Sequence, residues 1–315
     1  MVSHSNRTPC TVLMPVRNGE THLKISLDNL IKITKPQDQI LIIDDGSTDS
    51  TKEILREFKQ TIERIQVISI PASGIVTALN LGIDNADHEY IARADVDDIY
   101  REDRLDLQVE YLDREADVGA VFSDYVFWNK EHRDLGCMPT GAIRSATRLS
   151  VVDAFRLPHP SVLFRKSAVI KVGCYLKSEF PAEDLGLWIR LLRYYEIASI
   201  PQLLLRYQLN PTGISSTRRE GMLRKKNELL STLDYSKLLW DNINIYSEIK
   251  NSYKSLDLRF ERLALHNFDL LICLNRSDLA LPVKVSLNLK IIARFLNLRV
   301  LNSFLALLLQ RVARK

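Results

Sequence analysis

The chain has 315 residues, enough to bury a sizeable core as one large domain or two modest ones. Hydrophobic residues make up 46% of it, as in an ordinary globular protein, and no low-complexity segment or solenoid repeat stands out. The net charge of +4 is unevenly placed: the stretch from Lys284 to Lys315 holds seven basic residues and no acid, which leaves a mildly acidic body unsuited to nucleic acid.

Taken in order, residues 1–9 are polar and lack the apolar centre of a signal peptide, which predicts a cytoplasmic location. The run Thr11 to Pro15 reads as a buried first strand, followed by a turn over Val16 to Gly19. Leu23, Leu27, Leu30 and Ile31 recur at helical spacing. Gln39 to Ile43 is a second strand, ending in Asp44-Asp45-Gly46-Ser47. Ser50-Thr51-Lys52-Glu53 has the form of a capping box, so a helix is expected to start there. Ile65 to Ile70 is a third strand. A helix from Ile75 to Ala86 leads into the strand Tyr90 to Ala94. Arg101 to Glu115 is helical and Val118 to Phe122 extended. This alternation predicts an open, mostly parallel sheet with helices on both faces.

Further on, residues 124–147 predict a hairpin and a loop. Leu157 to Ser161 is a turn before a short strand, Val162 to Arg165. A helix opens at Ala182-Glu183-Asp184, and Leu203 to Leu209 is extended. From Thr217 onward the pattern is helical. The four cysteines, Cys10, Cys137, Cys174 and Cys273, are widely spaced with no CxxC pair; this argues against a zinc site or disulfide framework and fits a reducing compartment.

The chemistry concentrates at Asp95-Val96-Asp97-Asp98, three carboxylates at the end of a buried strand. Like charges this close call for a counter-ion, and hard divalent cations take carboxylate oxygens. An EF-hand is ruled out, because its sixth and twelfth positions would fall on Tyr100 and Asp106 rather than Gly and Glu. Asp44 to Ser47 also fits a plain strand-ending turn, and Glu183-Asp184 a plain solvated helix start. Arg93 reads as a counter-charge to the acids. His159, between two prolines, reads as a turn residue or part of a pocket wall, and Trp188 as core or pocket wall.

Four motifs in order then carry a resemblance. They are Thr11 to Gly19; Leu41-Ile42-Ile43-Asp44-Asp45-Gly46-Ser47-Thr48-Asp49; Tyr90-Ile91-Ala92-Arg93-Ala94-Asp95-Val96-Asp97-Asp98; and Glu183-Asp184 followed by Trp188 and Arg190. Together they resemble the family 2 glycosyltransferases over residues 10–215. The resemblance implies a GT-A-type α/β fold: a mixed, mostly parallel sheet flanked by helices. Residues 1–215 would be the catalytic domain and 216–315 a helical C-terminal extension. It also implies that Pro15 and Asn18 lie beneath the nucleotide and that Asp45 meets its base, with Asp44 beside it. Gly74 stands where some members place an Arg. Asp97 and Asp95 become the metal acids, for Mn²⁺ or Mg²⁺, with Asp95 reaching ribose or a metal-bound water. Asp184 becomes the general base and Glu183 its neighbour; the helix dipole favours an ionised Asp184. In Tyr207-Gln208-Leu209-Asn210, Gln208 and Asn210 replace the Arg and His of many members, which leaves a third protein ligand open.

The implied activity is inverting, metal-dependent transfer of a hexosyl or N-acetylhexosaminyl group. The donor would be a nucleotide-sugar, expected to be a UDP-sugar. The acceptor would be a glycan or lipid-linked sugar in bacterial lipopolysaccharide, capsule or exopolysaccharide synthesis. A related nucleotidyltransferase would want a glycine- and base-rich phosphate loop after the first strand, which Arg17 and Gly19 alone do not make. The rival outside enzymes is a sugar- or nucleotide-binding protein with a decayed transferase site. Finally, Ile292 to Val312 mixes apolar and basic residues near helical spacing. Its longest uncharged run, Val300 to Gln310, is too short to cross a bilayer, so peripheral contact with an anionic membrane on the inner face is expected. Packing on protein is the alternative.

Overall fold

Two apolar runs without polar alternation, Cys10–Val16 (β1) and Gln39–Asp45 (β2), are buried at every residue, as strands covered on both faces require. They are neighbours in a mixed sheet of nine strands among the described residues of the computed structural model, which are 7–128, 134–138, 157–210, 213 and 217–231. All of these fall within one compact unit, residues 1–234.

The chain opens as expected. Helix α1 (Leu23–Ile33) buries Leu23, Leu27, Leu30 and Ile33; α2 (Thr51–Thr61) buries Ile54 and Leu55. Strand β3 (Ile65–Ile70) pairs in parallel with β2. Helix α3 (Ile75–Asn85) then carries the chain back over the sheet, so that β4 (Tyr90–Arg93) joins the other side of β1. Gly82 permits that crossing, since a Cβ there would lie 2.1 Å from a Leu13 methyl. The order β3-β2-β1-β4 reverses direction between β1 and β4. Such a switch point opens a crevice beyond the carboxyl ends of the strands.

The second half is more antiparallel, yet most paired residues still lie in parallel ladders. Strand β5 (Ile99–Tyr100) and helix α4 (Arg104–Arg114) precede β6 (Val118–Trp128), which forms a hairpin with β7 (Asp134–Met138). A 3-10 turn (His159–Ser161) leads to β8 (Leu163–Arg165), antiparallel to both β4 and β6. Helices α5 (Lys166–Lys171) and α6 (Glu183–Leu191) follow, then β9 (Glu196–Gln208), parallel to β6 and antiparallel to β5, and helix α7 (Arg219–Ser231).

The expected mixed, mostly parallel sheet flanked by helices is therefore present. Four local readings change. Strand β6 continues to Trp128, and β9 begins at Glu196 rather than Leu203. Pro201 concealed the latter: the β6–β9 register jumps from Ser123↔Ile200 to Asp124↔Leu203, so the proline sits in an irregularity where its missing N–H does no harm. Helix α4 begins at Arg104 rather than Arg101, whose amide donates to the Leu204 carbonyl of β9. Ser50 stands at the N-cap of α2, but its side chain makes no capping bond; the Thr51 amide donates instead to Asp49 Oδ1 at 3.1 Å. The C-terminal membrane reading, residues 283–315, lies outside the described residues.

Candidate active site

The crevice at the switch point holds a cavity of about 870 Å³. Its walls include Pro15 and Asn18 from the end of β1, Asp45 from β2, Ser73 to Val76 at the start of α3, and Asp95 and Asp97 after β4. Asn210, Lys177, His22 and Arg218 complete it from distant parts of the chain. Pro15, Asn18, Asp45, Asp95 and Asp97 are thus brought to one place. Asp44 is not: it is fully buried, with Oδ1 accepting the Ser47 amide at 3.0 Å. Glu183 and Asp184 do not line the cavity either, though the charges of Asp95 and Arg93 reach Glu183.

The wall formed by the ends of β1 and β2 is held by bonds between side chains and backbone. Asn18 adopts a left-handed conformation (φ 54°), which asparagine tolerates. Its Oδ1 accepts the Thr48 amide at 2.8 Å, and its own amide donates to Ser47 Oγ at 2.9 Å. Gly46 must be glycine: its φ is +69°, and a Cβ would meet the Ala72 nitrogen at 2.6 Å. Asp45 receives the amides of Ser73 (2.6 Å) and Gly74 (2.9 Å), so it fastens the start of α3 to the tip of β2.

The acidic loop is held from several directions. The Asp95 amide donates to Tyr100 Oη at 2.8 Å, and its carboxylate pairs with Arg93 Nη2 at 2.5 Å. Asp97 Oδ2 accepts the Asn210 side-chain amide at 3.1 Å. Burial first, and the nearby Asp95 charge second, push the Asp97 carboxyl above its usual range. Asp98 is buried, accepts the Gln208 amide at 2.8 Å, and is raised further by burial and by both neighbouring acids. Beneath the loop lies Arg104, fully buried. It covers the Tyr100 ring at 4.3 Å and donates to the carbonyls of Arg93 and Val162.

The fit to a cation can be judged from this donor set. Asp95 and Asp97 both line the cavity, and Asp97 is raised first by burial and second by the charge of Asp95, a cost that a cation between them would relieve. No trio of His, Cys, Asp or Glu forms a metal site among the described residues. An all-oxygen pair suits a hard divalent cation that completes its shell with phosphate and water.

Helix α6 carries Glu183 and Asp184 in its first turn. Asp184 Oδ1 accepts the Leu185 amide at 2.7 Å. Glu183 is 8% exposed, and burial together with the Asp184 charge pushes its carboxyl up to about 7. Arg190 of the same motif is structural: it pairs with Glu179 at 2.8 Å and donates to the carbonyls of Val172 and Cys174, pinning that turn to α6. Trp188 is core, packed edge-on to Phe122 at 5.0 Å. His159 sits in its turn with Nε2 2.7 Å from Tyr175 Oη, and burial beside Arg93 pushes its pKa well down, keeping it neutral. His22, Lys177 and Arg218 escaped the sequence reading, because nothing local in their segments indicates that they reach this cavity.

Comparison with known proteins bears on the family and the fold. The profile described as Glycosyl transferase family 2 matches residues 11–173. The amylovoran biosynthesis glycosyltransferase AmsE of Erwinia amylovora is 25% identical over 226 residues, covering 70% of this chain and 83% of that protein. Among solved structures, the mannosyltransferase PcManGT from Pyrobaculum calidifontis, in complex with GDP-Man and Mn²⁺, superposes with a TM-score of 0.58. It shares 16% identity, over 92% of this chain and 86% of that one. S. aureus TarS 1-349 in complex with UDP-GlcNAc gives 0.57 at 13% identity, over 91% and 80%. At such identities the structural matches establish the GT-A-type fold.

Proposed function

The chain belongs to glycosyl transferase family 2, and from that premise we propose that it moves a sugar from a nucleotide-sugar, a UDP-sugar in the first instance, onto a glycan or lipid-linked acceptor with inversion. The observation that carries this reading is the shared cavity. Pro15, Asn18 and Asp45 form one wall, and the Asp95–Asp97 pair stands beside them. Relatives support the substrate class: AmsE is named for amylovoran biosynthesis, and the structural neighbours hold GDP-Man with Mn²⁺ or UDP-GlcNAc. We read the product as a bacterial surface polysaccharide.

In this reading Asp97 would hold Mn²⁺ or Mg²⁺ directly, and Asp95 would reach the ribose or a water on the metal. The cation would act as a Lewis acid on the departing diphosphate. Lys177 and Arg218 line the same cavity, beside His22, and add positive charge where the leaving group gathers negative charge. Asp184 accepts the proton of the attacking hydroxyl, a contribution of about 10²–10⁴-fold. Base and leaving group on opposite faces of the sugar make a single inverting displacement. Residues 1–215 would be the catalytic domain and 216–315 a helical extension whose first residues lend Arg218 to the cavity and whose basic end meets an anionic membrane. No described helix is long and apolar enough to cross one.

A nucleotide-sugar screen by thermal shift, with and without Mn²⁺, tests the donor assignment. A specific donor should stabilise the fold by about 2.7 kcal/mol at a hundred times its Kd. Indifference to every UDP- and GDP-sugar, whatever the manganese concentration, would end the reading. For the membrane assignment, deletion of residues 283–315 should move the protein from membrane to soluble fractions; an unchanged distribution refutes it.

A further inference from the structure

Helix α3 does more than form one wall of the cavity. Its start, from Ser73 to Val76, lines the cavity and is tied to Asp45. One turn beyond Val76 stands Asn80, half-buried. Both ends of its side-chain amide meet the backbone of a single residue that lies 95 positions further along the chain. Its Nδ2 donates to the Tyr175 carbonyl at 2.9 Å, and its Oδ1 accepts the Tyr175 amide at 3.0 Å.

Tyr175 opens a short loop that returns to the cavity. Lys177, two residues on, lines it, and so does Phe180. Between them the chain makes a 3-10 turn (Lys177–Glu179), with the Glu179 amide donating to the Leu176 carbonyl at 3.0 Å. Phe180 carries the Arg218 guanidinium 5.3 Å from the centre of its ring, and Arg218 is a further cavity residue. The loop is also held elsewhere: Glu179 is closed on Arg190 of α6 at 2.8 Å, and Tyr175 Oη lies 2.7 Å from His159 Nε2. Among the described residues, Asn80 supplies the bonds between this loop and α3. A lysine head is a point charge on a flexible stem, so what a fold can fix is the backbone it springs from.

We propose that Asn80 is a positioning residue for the diphosphate of the donor. By clasping Tyr175 it sets the Lys177 turn, and with it Phe180 and Arg218, at a fixed distance from the helix start where the nucleoside lies. The spacing between the two ends of one nucleotide is thereby built into α3. Asn80 does not itself line the cavity, so it acts through the loop it holds. This rests on the reading of the cavity as the nucleotide-sugar site.

The test measures UDP and UMP affinities of the full-length chain by calorimetry. One Mn²⁺ concentration is used throughout, so that the cation's share is common to every variant. The ratio of the two affinities reports the grip on the second phosphate. Lys177→Gln should lower that ratio by about tenfold, the scale of one charge-assisted hydrogen bond. Asn80→Ala should lower it by a similar factor, with UMP affinity near wild type. Because Asn80 acts through the loop, the double variant should lose little more than Asn80→Ala alone. Asn80→Gln keeps both polar atoms on a longer stem, and it takes the place of the alanine variant if that one does not fold. A merely structural role would weaken UMP and UDP alike, and independent roles would make the two losses multiply; either result overturns the proposal. An unchanged ratio in Asn80→Ala or in Lys177→Gln also overturns it, and leaves the donor-site reading standing. If the wild type binds neither nucleotide, the donor-site reading falls and the proposal falls with it.

Discussion

The side-chain amide of Asn210, two residues past the end of β9, donates to the Asp97 carboxylate at 3.1 Å across a sequence separation of 113. Two residues earlier the Gln208 amide holds Asp98 at 2.8 Å. The acidic loop after β4 is therefore clasped by the end of a strand formed late in the chain. Preorganisation of this kind sets carboxylates in place before any ligand arrives.

Asp97→Ala should abolish metal-stimulated transfer, lowering kcat by at least ~10²-fold, the scale seen when a charge-stabilising group is removed. Mn²⁺ titration by calorimetry, followed beside a nucleotide-release assay, checks both halves. Retained stimulation by Mn²⁺ would mean that another group is the ligand.

Asp184→Asn keeps the shape of the first turn of α6 but cannot take a proton. Donor affinity should stay near wild type while turnover falls by about 10²–10⁴-fold. Equilibrium binding of the donor and single-turnover rates separate the two effects; a loss confined to binding would remove Asp184 from the base role.

Glu183 predicts a pH dependence of stability. Its carboxyl is raised from 4.5 to about 7 in the fold, so the folded state disfavours its ionisation. Its contribution is fully present below about pH 4.5 and is lost as pH rises through about 7. Asp97 and Asp98 are raised too and act in the same direction. Glu183→Gln should match the wild type at pH 4.5 and exceed it at pH 8, by on the order of 3 kcal/mol at most. Urea melts at the two pH values measure the difference; equal gaps at both would place Glu183 in a wetter setting.

Asp38 is structural, at the end of the sheet away from the cavity. It accepts Arg7 through both oxygens at 2.9 and 2.5 Å, together with the Cys10 and Lys35 amides. Arg7 and Asp38 are almost wholly buried. Asp38→Ala leaves a buried guanidinium with the half-exposed Asp106 as its remaining acid among the described residues and should destabilise the fold by about 3–5 kcal/mol. Donor affinity, measured at a temperature where the variant is folded, should be unchanged.

The parts of the site legible in the sequence are those carried by local patterns. Buried runs ending in acids gave β2 with Asp45 and β4 with Asp95 and Asp97, because an apolar strand followed by a charge leaves few other readings. The contact of Arg93 with Asp95 was legible for the same reason, being only two residues long. Contacts made by distant segments were not. Nothing around His22, Lys177 or Arg218 indicates a shared cavity, and the Asn210–Asp97 bond depends on β9 reaching the β4 loop. Pro201 masked the first half of β9, and the apparent cap at Ser50 is superseded by Asp49. Asp44 looked equivalent to Asp45 as its neighbour, but successive strand residues point to opposite faces, and only one reaches the cavity.

Asp45 is a tether in the structure, and the role in base recognition proposed for it has a bearing on how variants there should be interpreted. Because its carboxylate ties Ser73 and Gly74 to the tip of β2, truncating it slackens a wall at the same time as it deletes an acceptor. Weaker donor affinity in Asp45→Ala would sum both losses. Asp45→Asn separates them in part, since one carbonyl oxygen can keep the tether while the acid is gone; base discrimination is better judged from that pair of variants than from the alanine alone.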